Sequence, residues 1–361
     1  VPSFVSVSHA DFDQDDDDSL LASDQPTLSN ETASILENFL GFYDELASRF
    51  DDNPDVVLQS IVAYRRVGEI HERLGKSEEA ASAFYAAIER VEGLVGENTT
   101  EHIELRTELA RIYSGLGNVQ LGTDFQQARE HYQKAVKFLP PVEEIIKYAP
   151  ETQYELARGH YYLSRRPPFT PKRPPRRPSR HEGTRSGRSG HGPDGTDRRP
   201  EHSRDRSRDR EDDFEKHNRI ATGLLIQLVV SNDGNPDYKL LLALCHREAH
   251  AHGLEARQRD ERAIAVLEEL HKDYPDVPQY AFELSETYSR IHFSMRDEEV
   301  GYEEYAAYPE AEERLRMAQR IANSLSVKQP NIPQYSQLQP IIYWKLATIQ
   351  RRLSKPGESN Q

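Results

Sequence analysis

A period runs through the chain and limits it to very few folds. Pro54, Pro150, Pro236, Pro278 and Pro333, with Ile103 in the same phase, act as anchors. Ten residues after each lies a ring: Tyr64, Tyr113, His160, His246, Tyr288 and Tyr343. Fifteen residues before the last four anchors stand Ala135, Ala221, Ala263 and Ala318, and Ala87 precedes Ile103 by sixteen. Seven residues earlier again come Ala80, Ala128, Phe214, Ala256 and Ala311. A fixed period of this length is the signature of stacked supersecondary units and has to be read before any other fold signal.

Proline is tolerated in the first turn of a helix, where its missing N–H has no partner in any case. Each anchor therefore opens a helix, designated A. The ring and the residue three places on (Val67, Leu116, Leu163, Ala249, Ile291, Leu346) share one face of it. The small alanines fall on the following helix, B, and let two helices approach closely. Such hairpins cannot bury their apolar faces singly, and stack into a solenoid. Anchor spacings are 49, 47, 86, 42 and 55 residues. The long gap contains a segment of a different kind, and the last one an extra loop around Ser294–Tyr305.

That segment, residues 165–210, carries 15 Arg/Lys against 6 Asp/Glu, with eight prolines, five glycines and no Leu, Ile or Val. It cannot bury enough apolar surface to offset chain entropy and is expected to be a disordered insertion inside the third hairpin. The whole chain carries −15, so the remainder is strongly acidic. Residues 11–18, DFDQDDDD, form a self-repelling run. The expected organisation is a disordered acidic segment 1–28, a helical lead-in and repeats over 29–164, the insertion 165–210, further repeats over 211–354 and a tail 355–361.

The best-written unit is IVAYRRVGEIHERLGKSEEAASAFYAAIERV, residues 61–91. It resembles a tetratricopeptide repeat (TPR) through Tyr64, Val67, Gly68, His71, Gly75, Ala80, Phe84 and Ala87. The next unit keeps Tyr113, Leu116, Gly117, Ala128, Tyr132, Ala135 and Pro140. Later units depart: Ser164, His250, His292 and Ala347 take the helix-A glycine position, and Asn218 and Asp260 replace the helix-B ring. The resemblance implies an all-α, right-handed TPR-like solenoid of about five to six hairpins. Its packing residues are those of the two units above together with Ala221, Ala263, Tyr288 and Ala318. Residues 42–94 and the later units led by PDY (Pro236–Tyr238) and PQY (Pro278–Tyr280, Pro333–Tyr335) also look similar to the TPR regions carried C-terminally by planctomycete serine/threonine kinases and related signalling proteins. That likeness implies a docking or sensory role in bacterial signalling. With Val1 in first place, it leads to the expectation of a longer parent chain holding a kinase domain or membrane anchor, cytoplasmic or membrane-tethered.

Catalytic signatures are missing: there is no Walker A sequence, kinase loop set or nucleophile elbow. Cys245 is the only cysteine, which excludes a disulfide framework and a thiolate zinc site. His246, His250 and His252 fall close together, but Arg247 stands where a zincin needs Glu, and His246 is in packing phase. No metal or cofactor is expected, and no apolar run is long enough to span a membrane. Cys245 is expected to be buried, and Tyr343 and Trp344 to pack in a last helix that no polar capping helix follows.

Helix-A residues outside the packing stripe line the concave side of such arrays. Arg65, Glu69, Glu72 and Arg73 in the first unit, with Ser114, Asn118 and Leu121 in the second, are therefore the candidate groove for a protein or peptide partner. The chain then reads as a non-enzymatic scaffold. The alternative is a nucleic-acid-associated protein acting through residues 165–210, although Asp residues halve the charge of SRDRSRDR and Phe169 alone is available for stacking.

Overall fold

The computed structural model describes residues 54–94, 102–166, 202–232, 234–248, 254–290, 308–330 and 332–354, with positions 35, 39, 41, 42 and 45. Every element described is helical. The A helices are α1 (Pro54–Arg73), α3 (Ile103–Gln120), α6 (Pro150–Ser164), α8 (Pro236–Glu248), α10 (Pro278–Ser289) and α12 (Pro333–Ser354). Between them come the B helices α2 (Ser77–Leu94), α4 (Phe125–Phe138), α7 (His202–Ser231), α9 (Leu254–Asp273) and α11 (Tyr308–Lys328). Each A helix begins at its anchor residue, and in the five that open on proline the missing donor favours that start. The short helix α5 (Val142–Ile145) fills the connection before α6 and buries Ile145.

Consecutive helices pack as antiparallel neighbours, and A helices also touch the next A helix: α1 with α3, α3 with α6, α6 with α8 and α10 with α12. This is a TPR-like helical solenoid. The small residues explain the close approach. Ala80, Ala87, Ala221, Ala263 and Ala318 are wholly buried, with Ala128 and Ala135. A Cβ built on Gly68 would lie 2.6 Å from the Phe84 ring, and one on Gly117 2.3 Å from Tyr132. Gly115, outside the repeat pattern, does the same work from the next unit, 2.4 Å from the far edge of Phe84. Phe84 is thus gripped by glycines of two successive A helices. Gly75 ends α1 with φ of +72°, where only glycine is comfortable.

Four features differ from the sequence expectation or refine it. Residues 202–210, assigned above to the insertion, form the first turns of α7. Opposite charges three apart in that sequence (Asp205 and Arg208, Arg206 and Asp209, Arg210 and Asp213) favour a helix there. α6 and α7 still pack as one hairpin despite the interruption. Where a ring is missing from α7, Asn218 is buried and donates to the Cys245 carbonyl at 2.8 Å, tying B to the following A helix. Tyr343 and Trp344 do not pack: they are 48% and 45% exposed, because no described helix covers that side of α12. Segment 1–28, residues 167–201, the loop 294–305, His250, His252 and the tail 355–361 lie outside the described residues.

Candidate functional site

The A-helix file over α1, α3 and α6 carries a chain of alternating charges. Arg65 Nε donates to Glu108 at 2.6 Å, and its other arm pairs with Glu69, which also accepts from Arg66 at 2.9 Å. Glu108 takes Arg111 at 2.5 Å on its second oxygen, Arg111 reaches Glu155 at 3.0 Å, and Arg158 pairs with Glu155 at 2.8 Å. Arg65 and Glu155 are almost fully buried, so this ladder belongs to the wall between helices rather than to an open surface. Burial works against the charge on Arg111 and Arg158, yet the surrounding carboxylates hold both guanidiniums above the ordinary arginine value.

Beside the ladder lies a neutral polar cluster. Tyr132 and Tyr162 stack with centroids 4.7 Å apart. Asn118 accepts from the Tyr132 hydroxyl at 2.9 Å and donates to Tyr162 at 3.3 Å. Its amide also bonds Glu72, whose carboxyl is pushed up to about 7 chiefly by burial, with the Glu69 charge adding to the effect. The groove thus contains a carboxyl that is protonated in part at neutral pH, held by an amide and flanked by two phenols.

The structure brings Glu69, Glu72, Asn118 and Leu121 together as partly buried residues of one face and leaves Arg73 exposed at its edge. Arg65 and Ser114 are 4% and 1% exposed, so they shape this face from beneath. The sequence reading missed Glu108, Arg111, Glu155 and Arg158. A signal was present: glutamate recurs five residues after the anchors Ile103, Pro150 and Pro278, as Glu108, Glu155 and Glu283, and arginine eight after the first two. Between α8 and α10 the same position is used again. Arg247, 8% exposed, reaches Glu283 at 2.5 Å and Glu286 at 3.1 Å.

Histidines serve packing. His160 of α6 meets His217 of α7 with Nδ1 atoms 2.7 Å apart, and Asp213 lies 3.6 Å from the other nitrogen of His217. Burial and mutual repulsion hold His160 down to about 4, and burial lowers His217. His246 is also held down to about 4, by burial and by Arg262 and Arg259. Among the described residues no group of three or more His, Cys, Asp or Glu is placed to hold a metal, and no helix is long and apolar enough to cross a membrane. Cys245 is fully buried, and desolvation raises its thiol pKa far above the ordinary value.

The class defined by this fold is a TPR-like, all-α helical-repeat solenoid. The tetratricopeptide-repeat family pattern matches residues 237–276, which comprise most of α8, α9 and the turn after it. That stretch is one of the units whose sequence departs from the repeat consensus, at Asp260 in particular. Among solved structures, one described as the crystal structure of YrrB, a TPR protein with an unusual peptide-binding site, is similar at 12% identity. The likeness covers 78% of this chain and 92% of that one with a TM-score of 0.30. No curated protein matches the chain.

Proposed function

We propose that this chain is a docking scaffold that receives a protein or peptide segment across the A helices α1, α3 and α6. Glu69, Glu72, Arg73, Asn118 and Leu121 are its contact face. The observation that carries this reading is the direct packing of successive A helices, which aligns their polar residues in one continuous file. Because the buried charges of that file neutralise one another, the partner need bring no matching charge. Recognition falls to hydrogen bonds with Glu72 and Asn118 and to apolar contact at Leu121. Buried carboxyl and amide groups of this kind discriminate by the cost of leaving them unpaired. The narrower reading, the docking part of a bacterial signalling protein, rests only on the sequence likeness of residues 42–94 and the later PDY- and PQY-led units.

The test is a pull-down from lysate of the source organism, with and without nuclease. It uses the intact chain, an Arg73→Glu/Leu121→Asp variant and a chain lacking residues 167–201. The proposal expects the same proteins with the intact and shortened chains, and their loss with the groove variant. Partners that vanish on nuclease treatment, or only when 167–201 is removed, would replace it with the nucleic-acid reading.

A further inference from the structure

A cavity of about 330 Å³ opens between the B helices α9 and α11 and the first turn of α10, and none of its lining belongs to the A-helix face of α1, α3 and α6. Pro278 and Ala281 of α10, with Ile321 and Leu325 of α11, give it an apolar floor in which Ala281 and Leu325 are buried. Arg320, Ser324 and Lys328 stand four residues apart on one face of α11, and all three are exposed. Asp276, in the turn between α9 and α10, shares the lining. Among the described residues, no hydrogen bond or ion pair is made by the side chains of Asp276, Arg320, Ser324 or Lys328.

Other cations of these two helices have partners. Arg314 and Arg316 take Glu310 and Glu312, each four residues earlier, and Arg257 reaches Glu261 and Glu310. The sequence explains the exception. From Arg314 to Lys328, α11 carries four Lys/Arg and no Asp/Glu, so Arg320 and Lys328 have no acid three or four places away on their own helix. Asp276 on the same cavity pairs with neither. Two cations against one carboxylate leave an excess of one positive charge, which a single negative charge on a ligand balances. At about 30 Å³ for each water-sized atom, the space takes on the order of ten heavy atoms.

We propose that this cavity binds a small monocarboxylate with an apolar body. The carboxylate lies over Ser324, between Arg320 and Lys328, and the hydrocarbon lies on Ile321 and Leu325. A site of this kind uses two features at once. The cations and the Ser324 hydroxyl supply hydrogen bonds to the charged end, which are stronger than those to a neutral group. The floor selects for a hydrocarbon tail, because binding tightens with the apolar area covered. An amine of the same length meets two like charges, and an inorganic anion has nothing to lay on the floor. The site is separate from the docking face of α1, α3 and α6 and stands whether or not that face receives a peptide.

The test is titration calorimetry of the 361-residue chain with hexanoate, acetate, hexylamine and inorganic phosphate. Hexanoate is expected to bind one to one with a Kd of about 1 mM or tighter, more weakly as salt is added. Acetate, which keeps the charge and loses the body, should bind at least about tenfold more weakly, and hexylamine should give no binding. Arg320→Gln and Lys328→Gln change exposed side chains, and circular dichroism verifies that both variants stay folded. Each is expected to weaken hexanoate by about tenfold. Asp276→Asn removes the opposing charge and should tighten it. No saturable heat with hexanoate overturns the proposal, as does hexanoate binding that both charge variants leave unchanged. Acetate or phosphate bound as tightly as hexanoate would mean an adventitious ion only, and hexylamine bound as tightly would mean an unselective apolar contact. Either result also overturns it.

Discussion

Gly115→Ala adds one carbon at the joint between the first two repeats. That carbon would sit 2.4 Å from Phe84 Cζ, about 1 Å inside ordinary contact. The ring is fully buried and has little room to retreat, because Gly68 also lies close against it, where a Cβ would be 2.6 Å from Phe84 Cε1. Overpacking costs about 1–3 kcal/mol, and a ring already in close contact with two helix backbones belongs at the upper end. The substitution also gains about 1 kcal/mol of helix propensity. The net expectation is a loss of about 2 kcal/mol, read as a fall of about 1 M in the urea midpoint by far-ultraviolet circular dichroism. A repeat array can open in parts, so hydrogen exchange over residues 77–120 should accompany it and show the protection loss concentrated there. Phe84→Leu alone should cost about 1–2 kcal/mol. Adding Gly115→Ala to it should then cost almost nothing, a favourable coupling of about 2 kcal/mol. A Gly115→Ala chain as stable as the parent, or strictly additive single changes, would refute the account of Phe84 as a shared clamp.

Arg247→Ala takes from buried Glu283 its hydrogen-bonded cation and leaves Glu286 only Arg290, at 3.9 Å, and a loss of about 3 kcal/mol in chemical denaturation is expected. Cys245 should resist a thiol reagent in the native state and react only as the chain unfolds, making its labelling rate a direct measure of opening at the α7–α8 junction. His160 and His217 are held neutral by the fold, while the unfolded chain takes up protons near 6.5. Their contribution is complete above that pH and is lost as pH falls towards about 4. The histidine contribution to the thermal midpoint should therefore drop between pH 7 and 4.5, read as a parent-minus-variant difference that shrinks over that window for His217→Gln. Glu72 works in the opposite sense: it is protonated more readily in the fold than out of it, so its own contribution should fall as pH rises from 4.5 through about 7. Glu72→Gln should remove that fall.

What was legible in the sequence is what one helix or one hairpin determines by itself. An anchor proline marks a helix start by its own chemistry, and the spacing of Tyr64, Gly68 and Ala80 records contacts within one unit. Gly115 was not legible because its reason for being glycine is Phe84, a residue of the previous unit. The ion pair of Arg65 with Glu108 crosses 43 positions of sequence and shows only once α1 and α3 are side by side. Burial likewise separates Arg73, exposed, from Arg65, which no composition or charge count could tell apart. The start of α7 was hidden for another reason. Arginine-rich sequence reads as disordered by composition, while its three-residue alternation of charge favours a helix, and the two signals conflict in the same nine residues.

The recurring glutamate turns the array into a set of joints of two kinds. At α1–α3, α3–α6 and α8–α10 an arginine of one A helix meets the glutamate five residues into the next. At α6–α8 that place is held by Leu241, beside Tyr161 and Cys245, and at α10–α12 by Leu338, with Tyr335 against Phe282. Units that meet through like joints are exchangeable parts. Excising residues 103–149 whole would bring Glu155 to the place of Glu108 and leave Arg65 a carboxylate to face. A cut at an unlike joint would set a buried arginine against leucine. Growth or loss of this array by duplication or deletion therefore has permitted and forbidden seams, and they are written in whether the fifth residue of each A helix's successor is acid or leucine.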